Sequence, residues 1–590
     1  MGKKSNKKGK TEQISEDPHL TLDADFNQYL REIMKSVENE VNDDEEKSMI
    51  VNNFIEAIPE GVEELVARHG IGSKILEKLI GFSSIANFEK FTKCLKSEIL
   101  FNDSKATYVL ETCLKIATVR ALSTYNKEST KNEEKEPAKK KSKFIKNSND
   151  IEYNISQDYK VEHKVYCKEF ILRVNKFIIN NIESLIKSNQ GNHLIRTCLL
   201  SFAGILNIKS HDKSTNQVNL KNISNASIDT EWIEIVCNLA EKVLEWPHFP
   251  ELAFNERTST FLQTLNQTLY NLDQQRTLRK LNKSILKKCF ENDKDNEEES
   301  EGNVIEKLKP FSCKPATFLL ESVMQYCDEK QFNKIYTSYF KSYLLIMCDS
   351  NFNFTVQRLI DFTKDKEIFE EIFTQVTSQM SSLLQNGKTG VVLALCMACD
   401  RLSFKQGQFI QSILKALECE RSQNHIIQCI IALMPLHIIE KKTDIEVNLH
   451  GSLILQHILH FNKPIKIVQN LLDMKPQILS DIFCNPKGSR IADAYIDSKF
   501  IGEKSREKLI KHMEGMYLKM ALSKNGSHVL EKFYQLSSEG QKEIIVKELS
   551  ERTNQLGSCP SGKIIAHKFH VDVYTRNPNQ WRNFLARNRK

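Results

Sequence analysis

A short motif recurs along the chain at intervals that correspond to one helical repeat. Its two clearest copies are Gly-Ser-Lys-Ile-Leu-Glu-Lys at 72–78 and Gly-Ser-His-Val-Leu-Glu-Lys at 526–532. From residue 321 onward most copies follow one another after 35 to 38 residues, with a single step of 28. A period in this range is typical of stacked helical units. The sequence therefore predicts an all-α solenoid of about 10–12 repeats, each built from a pair of helices whose stacking forms a superhelix with a continuous concave surface.

We number the motif from the residue after the glycine, so that Ser73 occupies the first position, Lys74 the second and Glu77 the fifth. On a helix the first and fifth positions stand on the same face, one turn apart. The third and fourth positions are aliphatic and are expected to face the core. The second position then lies beside the polar pair.

The copies share a small polar first position, a flat or cationic second position and a polar fifth position. In that order they are Ser73, Lys74 and Glu77; Thr107, Tyr108 and Glu111; Asn192, His193 and Arg196; Asn353, Phe354 and Gln357; Asn424, His425 and Gln428; Ser452, Leu453 and Gln456; Ser489, Arg490 and Asp493; and Ser527, His528 and Glu531. Weaker copies are Ser259, Thr260 and Gln263, then Thr317, Phe318 and Glu321, and the segments around Gly390 and Ile564.

A single-stranded nucleic acid would use such a surface, one base for each repeat. The edge of a base forms hydrogen bonds with the polar pair, while its face stacks on the flat side chain, at about 1 to 3 kcal/mol per stacked base. A polar residue in one isolated copy would more simply face water. The repetition of the same chemical types in phase favours binding.

Charge is mildly basic overall and concentrated at the ends. The formal net charge is +7, and five lysines lie within the first ten residues. Arg587, Arg589 and Lys590 end the chain. Such runs predict solvated, disordered tails, and they are also typical of a nuclear or nucleolar address or of phosphate contacts.

The remaining composition argues against several other classes of protein. The fifteen cysteines have no regular spacing, and Cys396 and Cys399 lie in an apolar helical run, so we predict buried thiols and no metal site. The sequence contains no stretch of about 18 apolar residues, so it predicts no membrane span. No phosphate loop or nucleophile motif indicates an enzyme, and no cofactor is expected.

Polar interruptions divide the array into segments with the following predicted bounds. These are a disordered basic tail at 1–20, a helical segment at 21–53, the first repeats at 54–122, an inserted polar loop at 123–158, further repeats at 159–290 with an insertion near 209–230, an acidic loop at 291–303, the C-terminal repeats at 304–575 and a basic tail at 576–590. Repeat architectures tolerate such insertions.

The repeated positions resemble those of the PUF, or Pumilio-homology, RNA-binding family. Ser73, Lys74 and Glu77, like Ser527, His528 and Glu531, resemble its guanine-recognising set. Asn353, Phe354 and Gln357 resemble its uracil-recognising set, as do Asn424, His425 and Gln428, while Ser452 and Gln456 are similar to its adenine-type set. Arg196, Asp493, His567 and the copy at Gly390 depart from the recognition pattern.

Three segments are similar to the nucleolar branch of this family, which acts in small-subunit pre-rRNA processing. They are 191–200, 353–360 and 390–399. The resemblance covers about residues 50–585. It implies a monomeric Pumilio-type solenoid in the nucleus and nucleolus that binds single-stranded or partly structured pre-rRNA, meets preribosomal proteins and shields a spacer cleavage site.

Two other functions remain open on the sequence alone. A protein-binding scaffold of the HEAT or armadillo type would also stack helices, but it has no reason to repeat the polar pair around a flat or cationic residue. A cytoplasmic, mRNA-regulating Pumilio protein would have eight regular repeats, which the large insertions disfavour.

Overall fold

A computed structural model describes residues 22–38, 43–122, 159–209, 215–219, 228–291, 305–422, 424–442 and 446–587. The tail at 1–20, the insertion at 123–158 and nearly all of the acidic loop at 291–303 lie outside these residues. The chain divides into two compact units, one ending at Cys327 and the other beginning at Asp328. Each unit is a row of stacked helices, so the predicted all-α repeat fold is confirmed.

Each repeat contains three helices, where the sequence predicts two. A short leading helix or 3-10 turn comes first, the motif helix that bears the recurring segment follows, and a trailing helix completes the repeat. The motif helices of the first unit are Gly72–Leu79, Ala106–Leu122, Asn189–Phe202, Glu256–Asn271 and Lys314–Tyr326. Those of the second unit are Asn353–Phe362, Thr389–Leu402, Leu449–Leu459, Ser489–Asp497, Lys524–Leu536 and Pro560–Lys568.

The other elements of the first unit flank its motif helices. Two helices precede the array, Ala24–Glu38 and Asp44–Ala57. The leading elements are Glu63–Arg68, Glu98–Phe101, Ile182–Leu185, Phe249–Ala253 and Lys309–Phe311. The trailing helices are Ile85–Cys94, which follows the 3-10 turn Ile80–Phe82, then Val161–Asn180, Thr230–Leu244 and Gln275–Ser284, the last continued by the π turn Ile285–Cys289.

The second unit follows the same order. It begins with Glu329–Ile335 and the π turn Tyr336–Phe340. The leading helices are Leu344–Asp349, Met380–Gln385, Ile426–Ala432, Pro476–Cys484, Tyr517–Leu522 and Thr553–Leu556. The trailing helices are Lys366–Ser378, Gln406–Ala416, Ile465–Leu472, Glu503–His512 and Glu539–Ser550. Three further helices are Leu436–Ile439, Val571–Arg576 and Pro578–Arg587.

Within each unit, successive motif helices pack directly against one another. Helix Ala106–Leu122 contacts Gly72–Leu79 on one side and Asn189–Phe202 on the other, and the same relation continues along both rows. Their apolar third and fourth positions, such as Ile75 and Leu76, are fully buried between the layers. Burial of these apolar positions removes their surface from water, and this stabilises the stack by about 25 cal/mol for each Å² of apolar surface buried.

Two segments differ from the sequence-based expectation. The insertion near 209–230 contains part of an antiparallel β-hairpin, Ile205–Lys209 paired with Thr215–Asn219, rather than an irregular loop alone. The predicted disordered tail at 576–590 is wrong for its first part, which forms helix Pro578–Arg587. That helix is held by Trp581, whose buried indole Nε1 donates to Phe569 O at 2.9 Å. Charge composition gave no sign of this aromatic anchor.

Candidate nucleic-acid interface

The second position of the motif is presented to solvent in most repeats. Lys74, Tyr108, His193, Phe318, Phe354, Arg490 and His528 are all exposed. Phe354 is 70% exposed, Phe318 53% and Tyr108 50%. Large aromatic side chains are normally buried, so the exposure of these three rings at equivalent positions is unusual.

The first position is buried and forms hydrogen bonds with the main chain. Ser452 Oγ donates to Lys487 O at 2.7 Å, and Ser259 Oγ donates to Pro315 O at 2.7 Å. Asn192 Nδ2 likewise donates to Arg257 O at 2.9 Å. Each acceptor lies at or just before the start of the next motif helix. In these three copies the first position therefore fixes neighbouring repeats to each other, whereas Thr107 and Ser527 donate within their own repeat. The sequence did not predict this structural role.

The fifth position lies beside the first, as the helical spacing predicts, and remains partly exposed in most copies. Gln357 Nε2 donates to Asn353 Oδ1 at 3.1 Å. Gln456 Nε2 donates to Ser452 Oγ at 2.9 Å, an equivalent contact. These bonds hold one end of each glutamine amide and leave its Oε1 as an acceptor for a ligand.

The acidic fifth positions make contacts with the following repeat. Lys568 Nζ lies 2.6 Å from Glu531 Oε2, and Lys532 Nζ lies 2.8 Å from Asp493 Oδ1. Thr197 Oγ1 donates to Glu111 Oε1 at 3.0 Å. All three partners occupy the position directly after the motif. This sixth position is not among the predicted functional positions, although its fixed place after each copy is visible in the sequence.

In the first two copies, the surroundings of Glu77 and Glu111 shift the pKa values of their carboxyl groups in opposite directions. Burial and the neighbouring Glu111 carboxylate raise the pKa of Glu77. Burial alone would also raise the pKa of Glu111, but Lys115 at 2.7 Å and the Thr197 hydroxyl outweigh it and hold that pKa below its usual value. The two acids therefore differ in proton affinity.

One predicted copy does not belong to the row. Gln428 lies on Ile426–Ala432, which is a leading helix, and Asn424 precedes that helix. Motif helix Thr389–Leu402 packs directly on Leu449–Leu459, so no motif helix stands between them. Gln428 is buried, and its Oε1 lies 2.6 Å from His425 Nδ1. Asn424, His425 and Gln428 therefore do not lie on a motif helix, contrary to their predicted place in the repeat.

Residues 61–564 match the family model of the NOP9-like PUF repeat domain. The chain belongs to this family. The predicted resemblance to nucleolar Pumilio-like proteins is thus confirmed, and the recurring motif is the PUF repeat.

Several relatives of this PUF-repeat chain are similar over different lengths. It is 27% identical to mouse nucleolar protein 9 over 287 residues, 45% of each chain, and it spans less than half the length of that relative. Pumilio homolog 23 of Arabidopsis thaliana is 21% identical over 600 residues, with 95% of this chain and 73% of the relative covered. The names of the nucleolar relatives agree with the predicted nuclear and nucleolar localisation.

A solved structure, APUM23 with GGAAUUGACGG, superposes on the PUF-repeat chain with a TM-score of 0.68 at 20% identity. The match covers 96% of this chain and 99% of that one. At this identity the likeness supports the fold.

Outside the PUF motif, the two cysteines of the Cys-x-x-Cys segment are fully buried, and burial raises the pKa of both thiols. The described ranges contain no group of three metal-ligating side chains. In those same ranges no helix has the length and apolar character needed to cross a membrane.

Proposed function

We propose that this chain is a non-enzymatic, nucleolar RNA-binding protein that recognises unpaired bases with its motif helices. The observation that carries the proposal is the row of exposed second-position side chains, each beside a partly exposed fifth-position acceptor or donor. Phe354 and Gln357 are the clearest example, since the ring is free to stack and the amide is held by Asn353.

The proposed ligand is a single strand that contains guanines. The APUM23 complex includes GGAAUUGACGG, with guanines at both ends. In this chain the two guanine-type copies, at Ser73 and Ser527, also lie toward the two ends of the array. A carboxylate such as Glu77 or Glu531 accepts hydrogen bonds from base N–H groups.

The finer role that we propose is protection of small-subunit pre-rRNA. The chain would bind the precursor as a monomer within preribosomal particles, occupy spacer sequence and keep a nuclease from its cleavage site. Crosslinking in cells distinguishes this role from regulation of mRNA. Footprints in the rRNA spacer support it, and footprints confined to messenger RNAs would refute it.

The test of RNA recognition is replacement of the most exposed ring. Phe354→Ala should weaken binding of GGAAUUGACGG RNA by about 1 to 3 kcal/mol, because stacking on that face is lost. Stability should change little, since the ring is exposed. Affinity is measured by fluorescence anisotropy with the full chain.

The matched control is Ile465→Ala, which removes another exposed apolar side chain. Ile465 is 71% exposed but lies on a trailing helix, away from the motif positions. Its replacement should leave RNA affinity within about twofold of the parent value. Equal weakening by the two variants, or none with Phe354→Ala, would contradict the proposal.

A further inference from the structure

A basic helix face lies on a trailing helix of the first unit, on a different helix from any motif position. Helix Gln275–Ser284 and the π turn Ile285–Cys289 contain six basic and no acidic residues. All six side chains are exposed. We call this set the basic stripe, and its members are Arg276, Arg279, Lys280, Lys283, Lys287 and Lys288.

Packing of the helix explains why these charges share one face. Leu278, Leu281 and Ile285 are buried, and the helix packs on Glu256–Asn271 and Thr230–Leu244. Residues spaced three, four and seven apart lie along one side of a helix, so the basic residues occupy the remaining, outward side. From Arg276 to Lys287 the stripe extends about 16 Å, at 1.5 Å per residue.

Among the described residues, acidic partners do not neutralise Arg276, Lys283 or Lys287, the three residues on which the proposal rests. Lys280 Nζ lies 3.1 Å from Glu241 Oε1, but both side chains are more than half exposed, where such pairs contribute little. Lys288 Nζ donates to the Leu244 carbonyl at 3.1 Å. Within the part of the chain that the structure describes, Arg276, Lys283 and Lys287 form no ion pair.

Another trailing helix of comparable length shows how unusual this face is. Glu503–His512 also exposes three lysines, Lys504, Lys508 and Lys511, but Glu503 and Glu507 alternate with them. Its charge is therefore locally balanced. The helix and π turn that carry the basic stripe contain no acidic residue, and like charges in a row repel one another unless an anion covers them.

We propose that the basic stripe binds the phosphate backbone of paired RNA. It would be a second RNA-binding surface, separate from the second-position and fifth-position side chains of the motif helices, which we call the motif row. A double helix presents a dense line of phosphates, and lysines and arginines that contact it release counterions. Paired RNA is recognised mainly through shape and phosphate contacts. Helix Gln275–Ser284 and its π turn contain no aromatic residue, so this face has no ring on which unpaired bases could stack.

The test compares two RNAs and two matched variants of the full chain. One RNA is the single strand GGAAUUGACGG, and the other is the same strand joined to a hairpin stem. The first variant combines Arg276→Gln, Lys283→Gln and Lys287→Gln. The control variant combines Lys504→Gln, Lys508→Gln and Lys511→Gln, which removes the same number of charges from another trailing helix.

We expect the stem to strengthen binding to the parent chain and to the control variant, but not to the stripe variant. For the stem RNA, the magnitude of the slope of log K against log salt should fall by about 3 in the stripe variant, because three contacts to duplex phosphates are lost at about 0.9 each. Binding of the single strand should stay within about twofold, so that measurement tests the motif row separately.

Three results would overturn the assignment. The first is equal loss of both RNAs in the stripe variant, and the second is equal loss of stem RNA in the two variants. The third is unchanged stem binding combined with reduced binding of a polyglutamate peptide, which would assign the stripe to an acidic protein. Circular dichroism confirms that each variant remains folded.

Discussion

At the scale of single residues, a glycine before the motif sets how closely a motif helix approaches its leading helix. A Cβ built on Gly488 would lie 2.2 Å from Ile482 O, and one on Gly451 would lie 2.4 Å from Ile431 O. No real Cβ tolerates such a distance to backbone. The recurrence of glycine at this position therefore has a steric cause that is independent of RNA.

Replacement of Gly488 should destabilise the protein without touching the binding surface. We expect Gly488→Ala to lower the free energy of unfolding by about 1 to 3 kcal/mol, because the backbone carbonyl of Ile482 must move. The matched control is Gly407→Ala, where no atom lies within 4 Å of the added Cβ. That change should be neutral or stabilise by up to about 1 kcal/mol. Urea unfolding measures both, and equal effects would contradict the steric explanation.

The difference between local and long-range contacts explains where prediction from sequence succeeded and where it failed. Spacing and side-chain type were enough to place Ser73, Lys74 and Glu77 correctly on one helix, since i and i+4 geometry is local. They could not distinguish a motif helix from the leading helix that bears Gln428. That distinction depends on which helix packs against Thr389–Leu402, a contact between residues far apart in sequence.

At the scale of elements, a buried polar cluster joins three helices of the first unit. His163 Nδ1, on Val161–Asn180, lies 2.8 Å from Glu89 Oε1, on Ile85–Cys94. On its other side, Arg120 of Ala106–Leu122 approaches His163 Nε2 at 3.5 Å, and Cys167 Sγ lies 3.6 Å from the same nitrogen. Tyr159 and Tyr166 flank the imidazole ring. No motif or spacing in the sequence indicates this cluster.

Burial, assisted by the Arg120 charge, lowers the pKa of His163 despite the opposing effect of Glu89. The folded protein therefore binds a proton at His163 only at a lower pH than the unfolded chain does. As pH falls below the usual histidine value of about 6.5, the unfolded state gains protons first, and stability is lost. Above that value the contribution of His163 to stability is fully present.

Replacing His163 should reduce the sensitivity of the fold to acid. His163→Gln should lower stability by about 1 to 3 kcal/mol at neutral pH, because buried partners lose a hydrogen bond. The further drop in Tm between about pH 7.5 and about pH 5.5 should be smaller than in the parent chain. His528→Gln, at an exposed position, serves as control and should keep the parent pH dependence. An undiminished drop in His163→Gln would contradict the role assigned to this group.

At the scale of the whole molecule, affinity for RNA cannot come from net charge, since +7 spread over 590 residues is small. It must come from separate local contacts, each made by one repeat and its neighbour. Contacts between neighbours also limit how far an effect spreads, because each repeat of such an array interacts mainly with the adjacent ones. Base recognition in one unit should therefore be independent of recognition in the other.

The two guanine-type copies allow a direct test of this independence. Glu77 lies in the first unit, beside Glu111, and Glu531 lies in the second, paired with Lys568. Glu77→Ala and Glu531→Ala should each weaken binding of GGAAUUGACGG by about 1 to 3 kcal/mol, the cost of a lost bidentate base contact. Neither should affect a strand without guanine.

Because the two side chains share no partner, the double variant should lose the sum of the single effects to within about 0.5 kcal/mol. Isothermal titration of the parent, both single variants and the double variant completes the cycle. A double variant no weaker than either single variant would mean that the two guanines are bound in one concerted step, and that the repeats do not recognise bases independently.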